Sequence, residues 1–141
     1  MTYVTILYLT RKPTLTPKQF RDYYESTHIP LIKSIFGSVA PLRHRRCYLA
    51  RANSDSKDSN VSADAGYPPL VLRGTPEDFD YDCIAEVSWE DENDFNDFNK
   101  MYMQPGVMEK LAEDEERFLV REKLRAVAIG EVIESSPRND Y

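Results

Sequence analysis

The spacing of hydrophobic and polar residues predicts four β-strands. Residues 3–9 are β-branched and aromatic with little polar alternation, which is typical of a strand covered on both faces. Alternating runs predict further strands over residues 42–50, 81–89 and 124–133. Because charged side chains fall on both faces of the second run, we expect that strand at an edge of the sheet.

A helical period follows the first strand. One face of the predicted helix carries a continuous series of side chains: Phe20, Tyr23, Tyr24, Thr27, His28 and Leu31. Thr16 and Gln19 have the spacing of a capping box, which marks the helix start. Pro30 disfavours the α conformation in the residue before it, so we expect the helix to bend or stop near His28. The imidazole would then lie beside the free carbonyl groups of the last turn, where a cation is favoured.

Two more helical stretches follow the third predicted strand. The first begins in the acid-rich residues 90–94, and the second begins at Pro105. The first has apolar residues at Phe95, Phe98, Met101 and Tyr102, and the second at Val107, Met108, Leu111 and Phe118. We place the acidic residues 113–116 on the outside of the second helix.

The segment between the second and third strands predicts a long loop insertion at about residues 51–80. Residues 51–66 are small and polar, with almost nothing to bury. Residues 67–79 include several apolar side chains, among them Tyr67 and Phe79. They form either a lid over a pocket or a passive surface insertion.

This order of elements predicts an α+β fold of the ferredoxin-like, split βαβ type. Its four-stranded antiparallel sheet has the first and third strands in the centre and the helices on one face. The other face of the sheet lacks a cover, which predicts a face-to-face homodimer. A ligand would lie between the sheet and the helices.

Composition narrows the class of protein. The 141 residues suit a single domain over 1–141. The 18 basic and 24 acidic side chains give a net charge of −6, which argues against a nucleic-acid partner. No apolar run approaches the roughly 18 residues of a membrane span, and the N-terminal apolar run lacks the flanks of a signal peptide. We therefore expect a cytoplasmic protein without a membrane partner.

The sequence offers little for binding a metal or a nucleotide cofactor. Two cysteines and two histidines do not form a zinc-type spacing, and both thiols are expected to be reduced. None of the five glycines belongs to a G-x-G-x-x-G phosphate loop. We expect no metal site.

His28 is the first candidate for chemistry, and the alternative is a core histidine with a structural role only. An imidazole titrates near neutrality and can both take and return a proton. Tyr24 lies one helical turn away and is the candidate hydrogen-bond donor. Asp82, at the start of the third strand, is the candidate carboxylate that orients or deprotonates a substrate. The alternative for Asp82 and Glu86 is a structural ion pair with the basic residues of the second strand.

Aromatic side chains would suit a flat, phenolic ligand, although core packing accounts for most of them. An arginine of the second strand would hold a substrate carboxylate or enolate in a forked contact. The candidate substrate-binding residues are Tyr8, Tyr23, Arg45, Glu86, Phe95, Phe98 and Phe118.

Three motifs resemble those of EthD-domain proteins in the dimeric α+β barrel superfamily. The first helix has the pattern F-x-x-Y-Y-x-x-x-H-x-P-L from Phe20 to Leu31, with Tyr24 where the family usually has Trp. Residues 82–86 are similar to the family's D-x-x-A-E segment, and residues 114–118 to its D-E-x-x-F motif. Together these motifs span most of the chain.

The resemblance implies a cofactor-independent lyase or cyclase. Family members of this size in fungal polyketide pathways include dehydratases, decarboxylases and cyclases. The implied substrate is an aromatic polyketide-like intermediate of secondary metabolism, with His28 as general acid/base. The alternative is a non-catalytic small-molecule-binding or oxygenase-accessory protein that uses the same pocket. A haem-binding protein is a third option, weakened because His28 could supply only a single axial ligand.

Overall fold

Four strands form one antiparallel sheet in the computed structural model, which describes residues 2–52, 66–135 and 138. The strands are β1 (Tyr3–Leu9), β2 (Arg43–Tyr48), β3 (Cys83–Trp89) and β4 (Arg125–Ile129), in the spatial order β2-β3-β1-β4. β1 pairs with β3 from Tyr3 opposite Trp89 to Leu9 opposite Cys83. The sequence-based prediction of a ferredoxin-like α+β sheet, with β1 and β3 central and β2 at an edge, is confirmed.

Helices cover one face of this sheet. They are α1 (Pro17–Tyr23), α2 (Ile29–Phe36), α3 (Glu92–Tyr102) and α4 (Pro105–Glu115). The predicted capping box begins α1, since the Gln19 amide donates to the Thr16 hydroxyl at 3.1 Å and the Thr16 amide donates to the Gln19 side chain at 2.9 Å. None of the helices in the described part of the chain is long and apolar enough to cross a membrane.

The expectation that the helix could stop near His28, with Ile29 outside the α region, is wrong. A π-helical turn, Tyr24–His28, joins α1 directly to α2, and Ile29 keeps α-helical angles of φ −61° and ψ −47°. The Ile29 amide donates to the Tyr24 carbonyl, five residues earlier. A wider turn relieves the clash that a proline ring makes with the carbonyl four residues before it, which explains how Pro30 fits at the start of α2. His28 therefore lies within a continuous helix and not at a helix end.

The core lies between the sheet and the helices. Phe20 and Phe118 are fully buried beside Cys83 and Ala85 of β3. Ring centroids of Phe20 and Phe118 lie 5.8 Å apart. This packing fixes α1 and the segment after α4 against the middle of the sheet, and so positions the side chains of the site.

The other face of the sheet carries apolar and charged side chains. Residues of β1 and β3 alternate in direction, so Tyr8 and Glu86 lie on the face away from the helices. Ile6 pairs with Val127 of β4 on that face, and Val127 is 50% exposed. We call this surface the open face.

The predicted loop insertion is only partly described, because residues 53–65 lie outside the described residues. Its two ends are joined by a bridge between Arg51 and Pro69, and the Leu70 amide donates to the Ala50 carbonyl at 2.8 Å. Residues 66–80 then lead to β3, which begins at Cys83. This part of the insertion is therefore held against the sheet.

Candidate active site

A cavity of about 420 Å³ lies between the sheet and the helices. Its apolar wall comes from β1, β3, α2 and α3, and its polar groups include Tyr24, His28, His44 and Glu115. We call it the central cavity. No side chain of residues 66–80 lines it, so the described part of the insertion forms no lid there.

His28 is buried in the cavity wall and held by Asp114. The two are joined by a hydrogen bond of 2.8 Å between Nδ1 and Oδ2. The ring of Phe118 packs on the imidazole with centroids 4.9 Å apart. No hydrogen-bond partner for Nε2 occurs in the described part of the chain. Asp114 thus orients the ring and leaves Nε2 available to exchange a proton.

Asp114 is itself held by a second donor. The Tyr23 hydroxyl donates to Oδ1 at 2.6 Å, and Arg117 lies 3.8 Å from the same oxygen on the exposed side. Burial and the hydrogen bond to Asp114 raise the pKa of Tyr23, so the phenol keeps its proton. Both oxygens of the buried Asp114 carboxylate therefore accept hydrogen bonds, and these contacts fix the orientation of the His28 ring.

Tyr24 and His44 form a second polar pair in the central cavity. The Tyr24 hydroxyl lies 3.3 Å from His44 Nε2, and the Tyr24 ring lies 5.8 Å from the His28 ring. Burial raises the pKa of Tyr24, so its hydroxyl remains protonated. Burial, assisted by the Arg46 charge, lowers the pKa of His44 to about 4. Near neutral pH, Tyr24 and His44 are therefore both uncharged hydrogen-bonding groups.

Three polar groups of this site were missed from the sequence: Asp114, Glu115 and His44. The prediction that residues 113–116 lie on the exposed face of the second helix is wrong for Asp114 and Glu115, which are 6% and 8% exposed. The signal was present, because Leu111, Asp114, Glu115 and Phe118 have the i, i+3, i+4, i+7 spacing of one helical face. Their burial is tolerated because each carboxylate has a partner, His28 for Asp114 and Arg121 for Glu115.

Asp82 is buried elsewhere and does not reach the central cavity. Its carboxylate accepts hydrogen bonds from the Arg11 backbone at 2.8 Å and from Arg11 Nε at 3.0 Å, and it also pairs with Arg51. It lines a separate groove of about 510 Å³ with Arg51 and Tyr67. The structure therefore separates Asp82 from His28. The expectation that Asp82 pairs with basic residues of the second strand is wrong. Its partner Arg11 comes after the end of β1, and its partner Arg51 comes after the end of β2.

Four of the five aromatic candidates fall on the cavity side of the sheet. Phe95 and Phe98 line the central cavity. Phe118 is fully buried behind the His28 ring, and Tyr23 is bonded to Asp114. Phe118 and Tyr23 therefore lie beside His28 and its partner Asp114, whereas Phe95 and Phe98 form the α3 part of the cavity wall.

The remaining candidates lie on the open face. Arg45 Nη1 is 3.6 Å from the Glu86 carboxylate, in the ion pair foreseen as the alternative for Glu86. Tyr8 packs on Tyr81 with centroids 5.0 Å apart and under the Arg125 guanidinium. Within one copy of the chain, these side chains are separated from the central cavity by the sheet.

The described ranges contain no group of three or more His, Cys, Asp or Glu side chains arranged to bind a metal ion. Cys47 is exposed and Cys83 is buried, and neither forms a disulfide.

The chain is similar to known proteins in sequence and in fold. The EthD domain matches residues 12–122. A protein of Metarhizium robertsii named conidial pigment biosynthesis dehydratase EthD is 27% identical over 112 residues, which cover 77% of this chain and 67% of that protein. A crystal structure of an ethyl tert-butyl ether d (ethd) family protein from Bacillus halodurans superposes with a TM-score of 0.52 at 14% identity, covering 92% of this chain and 99% of that one.

Proposed function

The chain belongs to the EthD domain family, and from this we infer that it is a dehydratase of a pigment-type biosynthetic pathway. The proposed substrate is a hydroaromatic, polyketide-like β-hydroxy ketone, and the reaction needs no cofactor. The name of the Metarhizium relative supports dehydration over decarboxylation or ring closure.

One observation carries this proposal: His28 is oriented by Asp114 on the wall of the central cavity. The hydrogen bond of 2.8 Å to Nδ1 places a proton on that nitrogen and leaves Nε2 as the basic atom. An oriented imidazole backed by a buried carboxylate is a general base that also stabilises the imidazolium it forms. The mostly apolar walls of the cavity suit a ligand with fused rings.

The elimination proceeds in two proton transfers at His28. Nε2 takes the proton from the carbon next to the substrate carbonyl, and the C–H electrons move into an enolate. The enolate electrons then form the C=C bond as the C–O bond to the β-hydroxyl breaks. The imidazolium returns the proton to that hydroxyl, which leaves as water. We propose that the protonated Tyr24 hydroxyl, which lies 3.3 Å from His44 Nε2, donates to the enolate oxygen.

The test uses hydroaromatic β-hydroxy ketones as substrates and follows aromatisation by ultraviolet absorbance and loss of one water by mass spectrometry. We expect His28→Gln to lower the rate by about 10²- to 10⁴-fold, the usual contribution of a general acid/base. Exchange of the α-proton in deuterated water reports the first step separately. Lys33→Gln, an exposed change in α2, is the matched control.

Turnover that survives His28→Gln, in a variant with an unchanged circular dichroism spectrum, would contradict the acid/base role. Ligand binding without turnover in the unmodified protein would instead support the non-catalytic binding or accessory function.

We further propose that two copies pair through the open face to form a dimeric α+β barrel. Exposed Val127 and its neighbour Ile6 support this, because apolar side chains on an uncovered sheet favour a partner. Light scattering should give the mass of a dimer, and Val127→Asp should shift it toward the monomer. The exposed change Asp97→Asn should leave the mass unchanged. A monomeric unmodified protein would contradict the proposal.

A further inference from the structure

Glu115 distinguishes the central cavity from an ordinary apolar pocket. Among the described residues that line it, Glu115 is the only acidic side chain, and none is lysine or arginine. Resting on the function proposed above, we propose that Glu115 makes the protein select uncharged phenolic substrates and reject their carboxylated counterparts.

The charge of Glu115 is directed at the cavity because its counter-ion lies outside. Arg121 Nε is 3.2 Å from Glu115 Oε1, and Arg121 Nη1 is 3.7 Å from Glu116 Oε1. The arginine is shared between two carboxylates, is 39% exposed and does not line the cavity. A ligand in the cavity therefore meets the negative end of this pair.

The two histidines in the cavity do not supply a compensating cation. His44 is uncharged near neutral pH because burial lowers its pKa to about 4. Any positive charge that His28 gains is balanced by the Asp114 carboxylate at 2.8 Å. A carboxylated ligand would thus lose its hydration and face Glu115 without an ion-pair partner, which is costly in a buried site.

A neutral hydroxyl group on a ligand interacts favourably with Glu115. The Glu115 carboxylate accepts hydrogen bonds, and hydrogen bonds to an ionised acceptor are the strong ones. Tyr102 also lines the cavity, and burial together with the Glu115 charge raises its pKa, so its hydroxyl stays protonated. The cavity therefore recognises phenolic and alcoholic hydroxyls. This preference for hydroxyl groups over carboxylates agrees with a reaction that removes water from a neutral molecule. It argues against the decarboxylation of an aromatic acid as the reaction.

The experiment compares binding of 2-naphthol and 2-naphthoic acid, which have the same two rings and differ in charge at neutral pH. Affinities are measured by calorimetry and by quenching of Trp89, the only tryptophan in the sequence, which lines the cavity. We expect the unmodified protein to bind the naphthol about tenfold or more tightly than the naphthoate. Glu115→Gln should remove most of this preference by strengthening naphthoate binding and weakening naphthol binding.

Glu116→Gln is the matched control, because it removes the same charge from the next residue and from the same arginine. It should leave the preference unchanged. Methyl 2-naphthoate provides a test without a mutation: masking the ligand's charge should restore binding to the unmodified protein. A preference that survives Glu115→Gln, equal binding of both probes, no binding of naphthol, or an ester bound as poorly as the acid would overturn the proposal.

Binding selectivity and turnover can fail separately. If the preference holds but no β-hydroxy ketone is dehydrated, the proposed reaction is wrong and the role of Glu115 remains. If dehydration occurs without the preference, the role of Glu115 is wrong and the reaction remains.

Discussion

Asp82 and Asp114 are buried to nearly the same extent, with exposed fractions of 7% and 6%, but they have different partners. Asp82 is bonded to two guanidinium groups, from Arg11 and Arg51. Asp114 is bonded to an imidazole and a phenol, from His28 and Tyr23. Arginine keeps its proton at any physiological pH, whereas imidazole exchanges one near neutrality.

The difference shows that burial of a carboxylate does not identify a catalytic group. The cluster around Asp82 pairs one carboxylate with two guanidinium groups and holds the ends of β1 and β2 to the start of β3. The cluster around Asp114 positions a side chain that can move a proton and that faces the central cavity. The chemistry of the partners, together with access to a cavity, separates a structural ion pair from a candidate site.

The largest expected effect comes from the structural cluster. Asp82→Asn leaves two buried guanidinium groups without their counter-ion, so the free energy of unfolding should fall by about 3–5 kcal/mol. Urea denaturation measures it. The control Asp80→Asn removes an exposed partner of Arg125, where a loss of at most about 1 kcal/mol is expected. Similar losses of unfolding free energy in the two variants would contradict the structural role of the Asp82 cluster.

Lowering the pH should destabilise the folded protein through His44, which lines the central cavity. The pKa of His44 is lowered to about 4 in the folded protein from the ordinary value of 6.5, which applies to the unfolded chain. Between these two pH values the unfolded chain therefore binds more protons than the folded protein. Stability should therefore fall as the pH drops from about 6.5 to 4, by up to about 3 kcal/mol. Denaturation across this range should show a shallower decline for His44→Gln than for the Lys33→Gln control. Equal slopes would contradict a neutral His44.

A smaller effect is expected on catalysis from Asp114→Asn. Tyr23 donates a hydrogen bond, so the new amide would turn its oxygen toward Tyr23 and its NH₂ group toward His28 Nδ1. His28 would then carry its proton on Nε2, where it cannot act as a base. We expect kcat to fall about 100-fold, or about 2.7 kcal/mol, with little change in KM.

Adding Tyr23→Phe to Asp114→Asn sharpens this test, because the amide is then free to turn and part of the lost rate should return. The exposed change Asp97→Asn serves as the control and should keep full activity. A single Asp114→Asn variant as active as the unmodified protein would show that the carboxylate does not orient His28.

The sequence was sufficient for most of the fold. The β-branched and aromatic run located β1 at its observed bounds, Pro105 located the start of α4, and the order of elements predicted the sheet. It also located His28, Phe95 and Phe98 on elements that face the central cavity. These features depend on local periodicity, which a single sequence contains.

The partners of the buried charges could not be predicted in the same way. Arg11 and Asp82 are 71 positions apart, and His28 and Asp114 are 86 apart, so their pairing depends on how the elements pack. A carboxylate in an acidic run is also more often exposed than buried. Only the helical phase shared by Leu111, Asp114, Glu115 and Phe118 indicated otherwise.

The π-helical turn Tyr24–His28 also bears on how related chains can differ in length. A π-helical turn holds about one residue more than an α-helical turn, so removing one residue from it and restoring α-helical winding would leave α2 nearly in phase with α1. Ile29 and Phe36, now buried, would then stay on the core side. The same deletion within α1 or α2 would instead rotate the residues beyond it by about 100°. A related chain without the wide turn would therefore align with a one-residue gap between Tyr24 and His28.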